Sequence, residues 1–558
     1  MASAAKREKG LFSSRAFDSR IKSANTQGSE KALGYFFGPC LVYMAYYAIA
    51  GTYLTQFYTD VLGVTGVFLT MMPVFSKIFD AVTNIVMGRI IDKTHTRQGK
   101  ARPWILISGV LMAICGILLY AVPRASMQVQ LVWIVISYNL FFAFAFTIYN
   151  MSHTLMVPLS TRNTKQRDGL AMLTSTGTTM LPGLLVTIIL PILIKTIGVG
   201  AAAQGAWITV MSVLSILAIP ATLLEYYFTK ERVTEAMMAA GEDAEKDTAS
   251  FLQQMKVCFS DPYWLIVIGF NIVYQIFNYL STNSMIYYSN WVVANSVDGG
   301  TGMQVLINAI GQAPLGLGIF ILWPLVGKFG KRMVTMFGFG IGAIGSLLVL
   351  LTPGNVPLLL LGLVIKSFGA LPTYCMAAML AEALDHIEWS NGYRADGFSA
   401  SIMSIIITVS AGIGQSIILG GISAFGYIPP SSTAEIITQP AAMQTFFSWC
   451  FVGIPMVGYA IGSLLMLRYD VEEKIPQISA DISARHKAEA EARGEVYVSP
   501  EEKAALEQAE QEKIAEAKRI EELKAKCAKK GLSFEAEEAK YQAKLAEQKA
   551  RAAKKQKK

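Results

Sequence analysis

Asp80 stands inside the run Phe75-Ser76-Lys77-Ile78-Phe79-Asp80-Ala81-Val82-Thr83-Asn84-Ile85-Val86-Met87-Gly88. An ionised carboxylate at the centre of a membrane helix costs roughly 3 kcal/mol on insertion scales, so it persists where it faces a cavity, pairs with a cation or binds something. Helical periodicity puts Lys77, Asp80 and Asn84 on one stripe, flanked by Thr83 and Met87. Two chemistries suit that set. Lys77 and Asp80 can form a structural pair that locks the helix to its neighbours. Alternatively, Asp80 acts as a cation-responsive carboxylate with hydroxyl and amide oxygens beside it. The second reading is preferred, because no other clear mid-span acid offers charge-coupled chemistry a place.

Polar stripes recur on other apolar blocks. Thr147, Asn150 and Thr154 share one face of the fourth block. Asn271, Gln275, Asn278 and Thr282 share a face of the seventh, with Tyr274 and Tyr287 nearby. The eighth carries Gln304, Asn308 and Gln312, and the eleventh carries Ser401, Ser404, Thr408, Gly412 and Gln415. Small and polar residues also glue membrane helices together, which explains any single stripe. Five helices with such faces point instead to a water-accessible cavity. Amides and hydroxyls suit a neutral polyhydroxylated ligand, and tyrosines such as Tyr47 can stack on a sugar ring. His153 reads equally as a packed helix histidine or a ligand, while His95 and His386 fall at cytoplasmic helix ends. No nucleophile–base pair or metal-ligand set appears, which argues against an enzyme. The six cysteines are scattered, without CxxC or His/Cys spacing, so neither disulfides nor a zinc site is expected.

These stripes lie on helices that only a bilayer accounts for. Of 558 residues, 53% are hydrophobic and 16% charged, with mean hydropathy +0.42, where a soluble chain averages about 25% charged. A span needs about 20 apolar residues. That rule gives blocks near 32–58, 64–91, 103–122, 129–157, 169–196, 205–228, 260–295, 303–326, 333–351, 356–386, 398–425 and 440–467. No cleavable signal peptide is visible before the first block. Loop charge alternates. Lys6, Arg7, Lys9, Arg15, Arg20 and Lys22 precede the first block, and Lys93, Arg97, Lys100 and Arg102 follow the second. Arg162, Lys165 and Arg167, then Lys230, Arg232, Lys246 and Lys256, then Lys328, Lys331 and Arg332, and finally Arg394 continue the pattern, while the intervening loops are nearly free of basic residues. The positive-inside rule then places both termini in the cytoplasm. Gly99-Lys100-Ala101-Arg102 is echoed by Gly330-Lys331-Arg332, as in a duplicated six-helix unit.

Five regions follow: an N-terminal cytoplasmic segment (1–31), a six-helix bundle (32–228), a central cytoplasmic loop (229–259), a second six-helix bundle (260–468) and a charged helical tail (469–558). In the tail, Ser499-Pro500-Glu501-Glu502 reads as a capped helix start and Gly531 as a stop. The basic stretch Lys540 to Lys558 reads as a solvated face able to touch anionic lipid.

The run from Asp80 to Trp104, with Asn84, Gly88, Asp92, Arg97, Gly99, Lys100, Arg102 and Pro103 in place, resembles the signature of the glycoside–pentoside–hexuronide:cation symporters, the melibiose-permease branch of the major facilitator superfamily. Tyr58-Thr59-Asp60-Val61-Leu62-Gly63, Val157-Pro158, and Ala381-Glu382 through Asp385, Glu388-Trp389 and Arg394 support it, and together the matches span 32–467. The resemblance implies an all-α membrane fold of 12 helices in two six-helix bundles, a multi-pass protein of the cell membrane working by alternating access. It implies a cation site of Asp80, Thr83, Asn84 and Thr147, with no cofactor beyond the coupling ion, Na⁺ or H⁺. Asn84 stands where many members carry a second Asp, which keeps H⁺ coupling open beside Na⁺. At the sugar-contacting positions the chain has Met44, Asn150, Ser175, Thr373 and Thr408 in place of charged or indole groups. The implied substrate set is Tyr47, Asn150, Thr154, Asn278, Thr373 and Thr408. Lys77, Asp92, Arg97, Gly99, Lys100 and Arg102 form the implied cytoplasmic gate. The expected partners are a small-molecule solute, a sugar foremost, and membrane lipid, with no nucleic acid, and the expected state is a monomer. A relative carrying a non-sugar such as a lysolipid, or a transport-dead sensor signalling through the tail, are the alternatives.

Overall fold

The structure is a computed structural model. It describes residues 14–21, 26–49, 52–64, 67–161, 164–232 and 250–492, with scattered positions between 520 and 539. Lys6, Arg7, Lys9, Lys22, Arg162, Lys246, the Ser499–Glu502 start, Gly531 and the run from Lys540 lie outside the described residues, as do the side chains of Arg15, Lys165 and Gln312. The chain divides into two compact units, Met1–Ile475 and Pro476–Lys558.

Long helices build the first unit: α1 (Glu30–Val61), α3 (Arg102–Tyr120), α4 (Met127–Ser160), α5 (Gly169–Ile197), α6 (Ala201–Phe228), α7 (Pro262–Val293), α9 (Val356–Asn391), α10 (Asp396–Ala424) and α11 (Ala441–Arg468). To these are added α2 (Val67–Asp92) and α8 (Val297–Leu351), whose two arms meet at Gly330 with φ +79°. Among the described residues, ten segments are long and apolar enough to cross a bilayer: the nine helices of the first group and Pro324–Leu351 of α8. Where twelve blocks are expected from the sequence, α2 and the first arm of α8 are the two outside this set, and α2 carries Lys77, Asp80, Arg89 and Asp92. Pro262 opens α7 behind the N-cap Asp261, whose side chain accepts from the Trp264 amide.

The helices meet through small residues, as membrane helices must when lipid is as apolar as their own side chains. Gly38 on α1 lies against α6 so closely that a Cβ there would stand 3.0 Å from the backbone nitrogen of Glu225. α2 shows how one helix serves two surroundings. Phe75, Phe79, Val82 and Val86 form an exposed apolar stripe suited to lipid, while Lys77, Asp80 and Asn84 turn the other way. Across the molecule α10 packs along α2, and α8 packs along α5.

The internal echo is structural. After α2, Gly99 adopts φ +114°, and the amides of Lys100, Ala101 and Arg102 at the start of α3 all donate to the Glu231 carboxylate at 2.9 Å. At the corresponding break in α8, the amides of Lys331 and Arg332 donate to Glu472 at 2.7 and 2.8 Å, Glu472 lying at the start of α12 (Val471–Ala492). In each half a carboxylate just past the last helix caps a basic helix start, where the four unpaired N–H groups and the helix dipole favour a negative charge.

Polar pairs between the halves gather at the end away from the termini. Tyr427 donates to Asp60 at 2.7 Å and accepts from the Trp291 indole at 3.0 Å. Gln304 donates to Tyr53 at 3.0 Å, Thr59 bonds Tyr287 at 2.9 Å, and Lys195 pairs with Asp298 at 2.8 Å.

Candidate functional site

Asp80 is brought to its partners by three elements. On α2, the Asn84 amide donates to the Asp80 carbonyl at 2.8 Å and to Oδ1 at 3.2 Å, and Lys77 Nζ stands 3.7 Å from Oδ2. From α4, Thr147 donates to Oδ1 at 2.8 Å. Thr147 follows a widened π-helical turn, Leu140–Phe146, and its hydroxyl also reaches the Phe142 carbonyl five residues back at 3.1 Å. Such π turns are frequent at functional sites because they rotate one side chain out of the regular pattern. α10 closes the third side: a Cβ on Gly412 would meet Lys77 Cγ at 3.2 Å.

The result is a carboxylate 17% exposed, which accepts from a hydroxyl and an amide and faces a single ammonium. Oxygen-rich sites of this kind bind hard cations, and protonation is the competing chemistry of the same carboxyl. Thr83, implied as a fourth member, is turned away. Its hydroxyl donates to the Phe79 carbonyl at 2.9 Å on the exposed side of α2.

The substrate candidates are more scattered. Asn150 accepts from the Tyr43 hydroxyl at 2.7 Å, one turn from Thr147. Tyr47 bonds Thr179 and lies 6.0 Å ring to ring from Tyr43. Thr154 donates back to the Asn150 carbonyl at 2.7 Å. On the other half, Asn278 lines a cavity of about 50 Å³ with Tyr274, Ser281, Lys366 and Tyr459, and Thr373 bonds Tyr274 and the Ala370 carbonyl at 2.7 Å. Thr408 is half-buried on α10, one turn before Gly412. Asn150, Tyr47 and Tyr43 thus form one group in the first bundle, and Asn278 and Thr373 meet through Tyr274 in the second.

The residues of the gate motif hold the first bundle's terminus-bearing end together. Asp92 pairs with Lys100 at 3.3 Å, and Arg97 with Asp18 at 3.1 Å. Arg102 is buried, donating to the carbonyls of Gln98 and Tyr226 and stacking 4.5 Å above the Tyr226 ring.

Three ionisable residues within the helices, two of them buried, were not singled out as mid-span charges by sequence, where Asp80 reads as the only clear mid-span acid. Glu225 of α6 is 1% exposed and bonds His153 and Tyr149. It sits three residues from the polar end of its block, where a charge reads as interfacial. Asp60 is enclosed at the end of α1, and in the sequence it stands out only as part of the Tyr58–Gly63 motif. Lys366 sits in the apolar run Leu363-Val364-Ile365-Lys366 and donates to Ser281 at 3.1 Å. The rule that singled out Asp80 applies to it equally.

Comparison with known proteins agrees with this architecture. The family model described as MFS/sugar transport protein matches residues 34–473. The isoprimeverose transporter of Lactiplantibacillus pentosus is 26% identical over 449 residues, covering 79% of this chain and 89% of that protein. The putative glycoside/cation symporter YagG of Escherichia coli is 26% identical over 448 residues, covering 79% and 92%. In fold, a bacterial homologue of the human lysosomal transporter Spinster, solved inward-facing and unoccupied, superposes with TM-score 0.55 at 12% identity, covering 81% of this chain and 99% of its own. The D-xylose–proton symporter gives 0.51 at 15% identity, covering 80% and 98%. With a matched span that runs from the start of α1 into α12 and takes in every residue of the Asp80 site, this chain belongs to the MFS/sugar transport family, as a glycoside–pentoside–hexuronide type membrane transporter of the major facilitator superfamily.

Proposed function

We propose that the protein is a cation-coupled sugar or glycoside symporter that works by alternating access, with Asp80, Asn84 and Thr147 as its cation site. The observation that carries this is the Thr147–Asp80 hydrogen bond at 2.8 Å between α4 and α2, on a helix that packs against α10 of the other half. A cation there ties together two helices of one bundle at the seam between the bundles, so its binding energy differs between two arrangements of the halves. Asn150, one turn along α4, lets the substrate report on the same helix, and the coupling is reciprocal. The Asp60–Tyr427, Thr59–Tyr287 and Lys195–Asp298 pairs act as the outer gate of this cycle. The alternation of basic loops supports an external position for that gate in a cytoplasmic membrane, with both termini inside. The sugar reading rests on the names of the relatives and on the hydroxyl, amide and tyrosine groups around Asn150 and Asn278, which suit a polyhydroxylated solute.

The experiment is uptake into proteoliposomes across a panel of pentosides, hexosides and hexuronides, with Na⁺ and H⁺ gradients imposed separately. Accumulation above equilibrium under one gradient, lost in Asp80→Asn, is the expected result. Accumulation that survives Asp80→Asn rejects the cation site, and lysolipid uptake without sugar uptake rejects the substrate class.

A further inference from the structure

The first bundle holds a second pair of ionisable groups. His153 of α4 and Glu225 of α6 are 3% and 1% exposed, and His153 Nδ1 lies 2.7 Å from Glu225 Oε1. The other carboxylate oxygen accepts from the Tyr149 hydroxyl at 2.7 Å. With Glu225 ionised, the carboxylate only accepts and Nδ1 carries the proton of this bond. That assignment leaves Nε2 with a lone pair in the neutral imidazole. Nε2 is enclosed and has no hydrogen-bond partner.

The surroundings decide what fills it. Tyr149 stacks on the imidazole with ring centroids 5.5 Å apart, and from α1 Tyr43 meets it edge-on at 6.1 Å. Tyr35 and Tyr43 of α1 also lie within electrostatic reach of Glu225. The guanidiniums described at this end of the bundle are engaged elsewhere: Arg20 lies over the Tyr227 and Phe228 rings and Arg97 pairs with Asp18. Arg232 pairs with Glu30 at 2.7 Å, and Arg102 donates to Gln98 and Tyr226. When ionised, Glu225 is a buried charge whose side-chain partners are the Tyr149 hydroxyl and the neutral His153 imidazole. Burial of an unpaired charge is expensive, and an imidazolium beside the carboxylate would cancel it. One proton on Nε2 takes the pair from a net charge of −1 to zero, and histidine is the side chain that gains that proton in the physiological range.

We propose that the His153–Glu225 pair is a proton-binding site of the first bundle, distinct from Asp80, with Nε2 of His153 as the atom that takes the proton. Tyr43 connects it to the candidate substrate group, because the tyrosine that packs on His153 also donates to Asn150 at 2.7 Å. His153 lies six residues beyond Thr147 on α4, about 9 Å along the helix axis at 1.5 Å per residue. The two sites thus share a helix without sharing a ligand. A cation at Asp80 and a proton at His153 can then be bound independently, with Tyr43 touching both the imidazole and Asn150.

Nitrogen-15 NMR of the full chain labelled at its four histidines tests this without reference to transport. The resonance lost in His153→Gln should keep Nδ1 protonated and gain a proton at Nε2 as the pH falls from about 8 to about 5. Glu225→Gln, which removes the charge the imidazolium pairs with, should lower Nε2 occupancy at a given pH about tenfold. A His153 signal that stays neutral across that range, or that protonates alike with and without the Glu225 charge, overturns the proposal. Because both readouts need no substrate, their failure is separable from a failure of the sugar-symport reading. Where uptake is measurable, His153→Gln should flatten its pH profile and leave its response to Na⁺ at fixed pH in place. A pH profile identical to that of the unmodified protein also overturns the proposal.

Discussion

Thr147 and Asn84 converge on one oxygen of Asp80, at 2.8 and 3.2 Å, while the other oxygen faces Lys77 at 3.7 Å. The carboxylate is thus held on one side by donors that a metal ion would have to turn, and on the other by a cation that a metal ion would have to displace. Hydroxyl and amide groups rotate readily to present oxygen. Removing the hydroxyl in Thr147→Ala should weaken the activating cation about tenfold, in line with one hydrogen bond or ligand of about 1.5 kcal/mol, while solute affinity at saturating cation stays within twofold. Thr147→Ser should restore cation affinity. Equal loss of cation and solute affinity in Thr147→Ala would show that the hydroxyl only braces α4.

Asn84 leaves Asp80 as the single acid of the proposed cation site. Its amide currently gives Asp80 two hydrogen bonds, and Asn84→Asp would exchange those donors for a second negative charge. Two carboxylates so close cannot both ionise without a cation between them. The substituted protein should show stronger Na⁺ activation, by about tenfold or more in apparent affinity, and a steeper dependence of uptake on pH. Unchanged ion preference would mean that the position does not face the bound ion.

How far these features were legible in the sequence depended on how each residue is satisfied. The Lys77–Asp80–Asn84 stripe was legible because α2 is a regular helix there, and periodicity alone sets the direction of a side chain. Thr83 was not. Its sequence neighbourhood is equally suggestive, but a hydroxyl on a helix can bond its own backbone four residues back, as it does to Phe79. Thr154 repeats this with Asn150. Glu225 and His153 lie 72 residues apart in the chain, and Gly38, the small residue that lets α1 close on Glu225, is on a third helix. A pairing of that kind has no local period. The Gly–basic echo was visible as letters, yet its meaning lay in Glu231 and Glu472, which stand far along the chain from the loops that they cap.

The proposed outer gate makes the next expectation. Asp60 is 2% exposed, and its Oδ1 accepts from Thr59 at 2.8 Å and from Tyr427 at 2.7 Å. Only the second of these bonds crosses between the halves. Tyr427→Phe keeps the ring packing against Tyr287 and Trp291 and removes the crossing bond to a charged acceptor, worth about 1.5–3 kcal/mol. The closed gate should open more often, by about tenfold in equilibrium constant. A cysteine placed at Asn295 beside the gate should react correspondingly faster with a membrane-impermeant thiol reagent added outside. An unchanged labelling rate would show that Tyr427 does not hold the gate.

The paired caps make the last expectation, and it concerns stability rather than transport. Glu231 accepts from three successive amides at the start of α3 and Glu472 from two beyond Gly330. Both carboxylates sit where a helix N-terminus concentrates unpaired donors. Glutamine preserves shape and one acceptor but removes the charge, so Glu231→Gln and Glu472→Gln should each destabilise the protein by about 1–2 kcal/mol. Gly99→Ala should cost more than either. Its φ of +114° suits glycine alone, and a Cβ there would stand 2.2 Å from the Glu231 carboxyl carbon, so it disturbs the turn and the cap together. Thermal unfolding in detergent, followed by tryptophan emission, orders the three variants. Because the two caps lie in different halves without shared partners, Glu231→Gln with Glu472→Gln should lower the midpoint by the sum of the single effects. A midpoint untouched by both glutamine substitutions would show that solvent satisfies these helix starts and that the echo is one of sequence, not of stability.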